Sequence, residues 1–197
     1  MENIIMIRPK VCVFAGSSTP SDPAVLDAAR KLGAQLGEAG YDLVYGGGIR
    51  GVMGAVAEAA QKAGANVTAI TIEKYAAEPQ LTGAKISSVL TEAERFSAFL
   101  LESPIALFVL PGGPGSLREA MQGLENAVYE NGPPVILVKT GQYLKGIKQY
   151  FNQAVLGGMV KTAHKECLKV WLAGSPLGNI LKADKSSSPQ EPSPKNP

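Results

Sequence analysis

The sequence has few of the residues that most metal and nucleophilic sites use. It contains one histidine, His164, and two cysteines, Cys12 and Cys167, among 197 residues. A disulfide framework or a zinc site would need more cysteines at closer spacing. No Ser-His-Asp or Cys-His grouping can be assembled from the motifs either. We therefore expect no metal and no cofactor, two reduced and packed thiols, and a surface position for His164.

The chain also lacks a long apolar run and a strong net charge. No segment approaches the roughly 20 apolar residues that span a bilayer, and the first ten residues do not form a secretion signal. The net charge of +2 is too small to favour nucleic acid or an anionic membrane as a partner. These absences predict a cytoplasmic protein that binds neither.

What the sequence does have is a regular alternation of apolar, strand-like runs with helical segments. A continuous apolar strand at 104–110 is typical of a parallel sheet covered on both faces. The alternation predicts an α/β fold: a doubly wound, Rossmann-like parallel sheet in three α/β/α layers. We expect one nucleotide-binding domain over residues 1–183 and a disordered tail over 184–197, which is rich in Ser, Pro and Lys. The strands are predicted at 11–18, 41–45, 66–72, 84–90, 104–110, 134–139 and 166–172.

Three loops that follow predicted strands are rich in small residues: AGSS, GGGIRGVMG and PGGPGS. Parallel strands bring these loops to one edge of the sheet, where glycine exposes backbone N–H groups and the next helix begins, a combination suited to phosphate. Tight packing alone also explains each loop, and GGGIRG is a weak dinucleotide fingerprint because it follows the second strand. Together the loops predict a phosphate site formed by Gly16, Ser17, Gly46, Gly47, Gly48, Gly51, Gly112, Gly113, Gly115 and Ser116.

Two charged residues near these loops are candidate catalytic groups, and each has a purely structural alternative. Glu119 is the last residue of Ser116-Leu117-Arg118-Glu119, which also matches a capping box. Arg95 follows the capping-box pattern Thr91-x-x-Glu94. It is either a functional cation or a solvated residue paired with Glu92 or Glu102.

Several of these motifs together resemble one family. PGGPGSLRE resembles the PGGxGTxxE motif of the LOG family, the cytokinin riboside monophosphate phosphoribohydrolases, often labelled "possible lysine decarboxylase". VCVFAGSS, YGGGIRGVMGAVA and GMVKTAHKECLKV extend the resemblance over nearly all of residues 10–172. The chemistry of the sequence gives no support to the decarboxylase label.

The resemblance implies a reaction as well as a fold. In this family the two glycine loops hold a nucleoside 5′-monophosphate or a similar phosphate-bearing molecule. A glutamate and an arginine then hydrolyse its N-glycosidic bond, releasing the free base and ribose 5-phosphate. The matching residues here are Glu119 and Arg95. Family members need no cofactor and are homodimers or larger assemblies, so the resemblance implies a dimer or tetramer.

The sequence also departs from the family pattern near the candidate site. Phe96 follows Arg95 where the family has lysine, Ser116 replaces threonine, and Arg118 stands where a second glutamate is common. The interval from Arg95 to Pro111 is one residue longer than in typical members. The loss of the lysine and the longer interval after Arg95 favour a second interpretation, a non-catalytic carrier of a nucleotide or of the molybdenum cofactor. The retained Arg95, Glu119 and both glycine loops favour the hydrolase. A dinucleotide-dependent oxidoreductase is the third alternative.

Overall fold

A computed structural model describes residues 7–181 of the chain. Seven strands form a single sheet in the order β4-β3-β2-β1-β5-β6-β7, and every neighbouring pair is parallel. This confirms the predicted doubly wound α/β fold. The strands are β1 (Lys10–Phe14), β2 (Asp42–Tyr45), β3 (Val67–Ile72), β4 (Lys85–Val89), β5 (Leu107–Val109), β6 (Val135–Lys139) and β7 (Leu168–Leu172).

Helices connect the strands and cover both faces of the sheet. They are α1 (Pro23–Glu38), α2 (Gly51–Lys62), α3 (Glu92–Leu101), α4 (Pro114–Tyr129), α5 (Lys145–Leu156), α6 (Thr162–Cys167) and α7 (Gly178–Leu181), with a 3-10 turn at Glu73–Tyr75. Val11 and Val13 of β1 join the core under α1 and α2, whereas Cys12 and Phe14 join the core under α3, α4 and α5. The alternation of side chains along the strand therefore produces two apolar layers.

The helix starts follow from local capping. Asp22 accepts a hydrogen bond from Ala24 N at 2.9 Å, and Pro23 occupies the first position of α1, where no N–H is needed. At α3, Thr91 Oγ1 accepts from Glu94 N at 3.1 Å, while the Glu94 carboxylate accepts from Leu90 N at 2.9 Å. Both capped starts were predicted from the sequence.

The structure differs from the predictions at the last strand of the sheet and the helix that precedes it. Residues 166–172 were predicted as one strand, but α6 runs through Cys167 and β7 begins only at Leu168. His164 is 6% exposed, so the predicted surface position is wrong. Its ring packs between Tyr129 and Phe151, with centroids 5.6 and 6.1 Å away. These aromatic contacts bury His164 and hold α6 against α4 and α5.

Within residues 7–181 neither cysteine forms a disulfide; Cys12 is buried and Cys167 half-buried. The predicted disordered tail, 184–197, lies outside the described residues. Among residues 7–181, no helix combines the length and hydropathy needed to cross a membrane.

Candidate functional site

A cavity of about 860 Å³ opens at the carboxyl edge of the sheet. The cavity lies at the topological switch point of the sheet, where β1 has β2 on one side and β5 on the other. Open α/β sheets bind ligands at such points. All but two of the predicted site residues line this cavity. The lining members are Gly16, Ser17, Gly46, Gly48, Arg95, Gly112, Gly113, Gly115, Ser116 and Glu119.

The two predicted residues that do not line the cavity, Gly47 and Gly51, shape the loops around it. The Gly47 carbonyl accepts a hydrogen bond from the Tyr45 hydroxyl at 3.0 Å. Burial raises the pKa of Tyr45 to about 12, so this phenol keeps its donor proton. Gly51 has φ +59°, and a Cβ at this position would lie 2.6 Å from Ser17 C. Only glycine fits at this close approach of two loops.

The three small-residue loops contact one another through the backbone. Gly16 N donates to Pro111 O at 3.2 Å, and Met53 N donates to Gly16 O at 3.0 Å. The loop after β1 is therefore fixed between the other two. The N-cap residue of α4 is Gly113, which has no side chain, and the N-cap residue of α2 is Arg50, whose side chain makes no capping hydrogen bond. Both helices thus direct the positive ends of their dipoles towards the cavity edge without a side chain covering them.

Arg95 and Glu119 form an ion pair in the wall of the cavity. Arg95 Nη2 donates to Glu119 Oε1 at 2.7 Å, and the two side chains are only 14% and 10% exposed. The guanidinium also lies over the Phe99 ring, with Cζ 5.8 Å from the centroid. Arg95 Nε is buried without a hydrogen-bond partner among the described residues. The pair is therefore a well-buried charged group whose arginine still has donor capacity.

The electrostatics of the pair follow from its burial. Burial raises the pKa of Glu119 above the usual carboxyl value, and the Arg95 guanidinium opposes that rise without cancelling it. Burial also raises the pKa of the nearby Cys12 thiol, and the charge of Glu119 adds to the increase. The thiol consequently stays neutral, and Glu119 is poised to exchange a proton closer to neutral pH than an exposed carboxylate would be.

The structure bears on the structural alternative for each of these two residues. Helix α4 begins at Pro114, so Ser116 lies inside it and Glu119 bonds Arg95; the capping-box alternative is wrong. Arg95 does pair with Glu92, as the solvated alternative assumed, with Nη2 3.0 Å from Glu92 Oε2. The side chain is nevertheless mostly buried, and it belongs to the cavity wall.

Phe96, which replaces the family's lysine, lies outside the cavity lining. Its ring packs against Phe14 with centroids 6.4 Å apart. It also lines a separate shallow hollow together with Gln122 and Tyr129 of α4. The substitution therefore changes the surface between α3 and α4, and leaves the lining of the main cavity intact.

Several cavity residues were missed by sequence reasoning. They lie at the end of β3, on the segment after it and at helix starts, and they include Arg50, Thr71, Tyr75, Glu78, Gln80 and Glu92. A spacing of three residues before Arg95 does mark Glu92 as a helical neighbour. The segment after β3 carries no motif that marks it. Within residues 7–181, no three His, Cys, Asp or Glu side chains are grouped as a metal site would require.

Comparison with known proteins gives consistent matches along most of the chain. The family described as "possible lysine decarboxylase" matches residues 53–174. A cytokinin riboside 5′-monophosphate phosphoribohydrolase of Arabidopsis thaliana is 33% identical over 154 residues, which are 77% of this chain and 70% of that protein. A probable enzyme of the same name from Oryza sativa subsp. japonica is 30% identical over 92% of this chain and 75% of its own length.

Solved structures show the same fold. The molybdenum cofactor carrier protein of Chlamydomonas reinhardtii superimposes with a TM-score of 0.64 at 20% identity, covering 83% of this chain and 89% of that one. The molybdenum cofactor binding protein of Rippkaea orientalis gives a TM-score of 0.61 at 25% identity, covering 89% of this chain and 94% of that one. Both therefore share the overall fold described above.

Proposed function

Because this chain belongs to the LOG family, the family described as "possible lysine decarboxylase", we propose that it hydrolyses the N-glycosidic bond of a nucleoside 5′-monophosphate. The products would be the free base and ribose 5-phosphate. The observation that carries the proposal is the buried Arg95–Glu119 pair in the wall of a cavity edged by three small-residue loops. A carboxylate and a guanidinium are the groups that this reaction needs at the sugar.

The start of α4 is the proposed phosphate site. Gly113 leaves the helix without a side-chain cap, and Pro114 carries no N–H, so Gly115 and Ser116 supply the first backbone donors. The Ser116 hydroxyl and the loop containing Ser17 lie at the same cavity edge. A dianionic 5′-phosphate matches both the donors and the helix dipole.

With the phosphate held there, Glu119 acts at C1′ of the ribose. The bond from C1′ to the base nitrogen breaks, and the sugar develops oxocarbenium character that a nearby carboxylate stabilises. A water oxygen bonds to C1′ and its proton passes to Glu119; the departing base nitrogen takes a proton from solvent, and Glu119 then returns its proton to solvent, so that the carboxylate is regenerated. Arg95 keeps the buried carboxylate sufficiently ionised to accept that proton, and its remaining donors face ribose or phosphate oxygens.

The test is an assay of AMP and related monophosphates for release of free base and ribose 5-phosphate. We expect release by the wild type and a loss of about 10²- to 10⁴-fold in Glu119→Gln, assayed at a temperature at which both proteins are folded, because removing one charge of a buried ion pair also lowers stability. The matched control is Glu102→Gln, which removes a carboxylate that pairs with Lys10, at 2.6 Å, instead of lining the cavity. Equal release by Glu119→Gln and wild type would contradict the assignment.

A second candidate, a carrier of a phosphate-bearing cofactor, has its own supporting observation. Arg95 Nη2 already donates to Glu119 and forms an ion pair with Glu92, which limits what that nitrogen can offer a substrate. The similar protein from Rippkaea orientalis is named as a molybdenum cofactor binding protein. No release from any monophosphate, together with tight binding of a phosphate ligand, would favour this candidate over the hydrolase.

A further inference from the structure

One nitrogen of Arg95 is shared between two carboxylates. Nη2 lies 2.7 Å from Glu119 Oε1 and 3.0 Å from Glu92 Oε2. The same Glu92 oxygen accepts a hydrogen bond from Arg118 Nη2 at 2.8 Å. Charges of alternating sign therefore run along the cavity wall from Glu119 through Arg95 and Glu92 to Arg118, joining α3 to α4.

Exposure increases along this row of charges. The Glu119 and Arg95 side chains are 10% and 14% exposed, whereas Glu92 is 34% and Arg118 is 47% exposed. Exposed ion pairs contribute little to stability because water screens them. Glu92 and Arg118 nevertheless lie against a buried pair, where charges are screened less. Their main effect therefore falls on the pair, and only a small part on the free energy of unfolding.

We propose that Glu92 is a positioning residue: held by Arg118, it takes a share of Arg95 Nη2 and so sets how strongly Arg95 stabilises the Glu119 carboxylate. The role of that carboxylate in catalysis rests on the proposed function, but the division of the arginine between two carboxylates does not. Nothing in the family resemblance assigns a role to Glu92.

Two opposite effects on Glu119 follow from this arrangement. The negative charge of Glu92 raises the pKa of Glu119, and the positive charge of Arg118 lowers it, beside the larger effects of burial and Arg95. From β1, Cys12 faces the pair as a neutral thiol. Other charged or titratable groups lining the same cavity are Arg50 of the α2 start, Tyr75 and Glu78 of the segment after β3, and Tyr143 before α5.

The test is a carboxyl-carbon NMR titration of the full chain labelled at glutamate, in which the Glu119 signal is identified by its loss in Glu119→Gln. In Glu92→Gln the Glu119 midpoint moves to lower pH, because a like charge is removed and Nη2 serves Glu119 alone. In Arg118→Gln the midpoint moves to higher pH, because Glu92 loses its 2.8 Å partner and keeps, besides Arg95, only Lys74, whose Nζ lies 4.0 Å from its other carboxylate oxygen. Asp27→Asn, which removes another helical pair of the same spacing, with Arg30 at 3.0 Å, is the control and leaves the midpoint unchanged.

A second measurement separates this inference from the proposed function. Where AMP is hydrolysed, the acid limb of kcat/KM moves in each variant in the same direction as the Glu119 midpoint, which a merely structural role would not produce. Opposite shifts in the titration without any hydrolysis by the wild type would reject the proposed function and keep the inference. Shifts of the same sign in both variants, or no shift in either, would overturn the inference.

Discussion

Gly112 lies in the loop before α4 and Gly115 in the first turn of that helix, three residues further on. Alanine is nevertheless expected to have opposite effects on stability at the two positions. A Cβ on Gly112 would meet Ser116 Oγ and lie 2.8 Å from both Gly16 N and Ser116 Cβ. The hydroxyl can rotate, but the backbone of the neighbouring loop has to move. A Cβ on Gly115 meets nothing within 4 Å, and Gly115 is inside α4, where alanine is the better helix former.

The magnitudes follow from these contacts. Overpacking of this kind costs about 1–3 kcal/mol, so Gly112→Ala is expected to lower Tm by roughly 2–4 °C for each kcal/mol. Gly115→Ala is expected to raise stability by up to about 1 kcal/mol. Because Gly115 lines the cavity, its new methyl group nevertheless weakens binding of a phosphate ligand.

Urea unfolding measures the first effect, and calorimetric titration with ribose 5-phosphate, the proposed product, measures the second without turnover. Gly112→Ala with wild-type stability would refute the close approach of the two loops. A Gly115→Ala variant less stable than Gly112→Ala would refute the assignment of open space at the cavity edge.

Two further predictions concern stability away from the site. The hydrogen bond from Lys10 holds the pKa of Glu102 below its usual value, so this carboxylate stabilises the fold above its unfolded-state pKa and the gain is lost as pH falls through the folded-state pKa. In chemical unfolding as a function of pH, the wild type is therefore more stable than Glu102→Gln near neutral pH, and the difference disappears in acid; a difference that grows in acid would contradict the assigned direction. Asp22→Ala removes the side-chain cap of α1 and is expected to cost about 1 kcal/mol, measured by urea unfolding, whereas a wild-type midpoint would show that the cap is dispensable.

The sheet was predictable because its strands are marked locally. The apolar run ending at Leu110, and the caps at Asp22 and Thr91, depend on residues within a few positions of one another. Helix α6 was not predictable in this way. Six residues are too few to show a recognisable helical pattern of apolar side chains. A helix of that length forms only when tertiary contacts support it. Those contacts come from the rings of Tyr129 and Phe151, on two other helices, α4 and α5.

The candidate site was predictable to the extent that backbone geometry determines it. Glycine motifs mark loops, so their convergence at the sheet edge follows from the parallel topology alone. Contacts between side chains of different helices could not be predicted in this way. That Arg118 reaches Glu92 across α3 and α4 depends on how the two helices pack, and no spacing in the sequence records it. Glu78 and Gln80 belong to an irregular segment with no motif, so their place in the cavity wall had no signal either.

The backbone bonds that fix the loop after β1 have a consequence for the entropy of binding. Gly16 is bonded to Pro111 on one side and to Met53 on the other, so this wall is ordered when the protein folds and a ligand need not order it again. The segment between β3 and β4, residues 73–84, consists largely of exposed residues. An isolated bridge from Gly48 to Gln80 links it to the loop after β2. Affinity for the phosphate and selection of the base would then belong to two separate walls, a preorganised one and an adaptable one. Substitutions in the segment after β3 could then change which base is accepted without lowering the affinity of the loop after β1 for the phosphate.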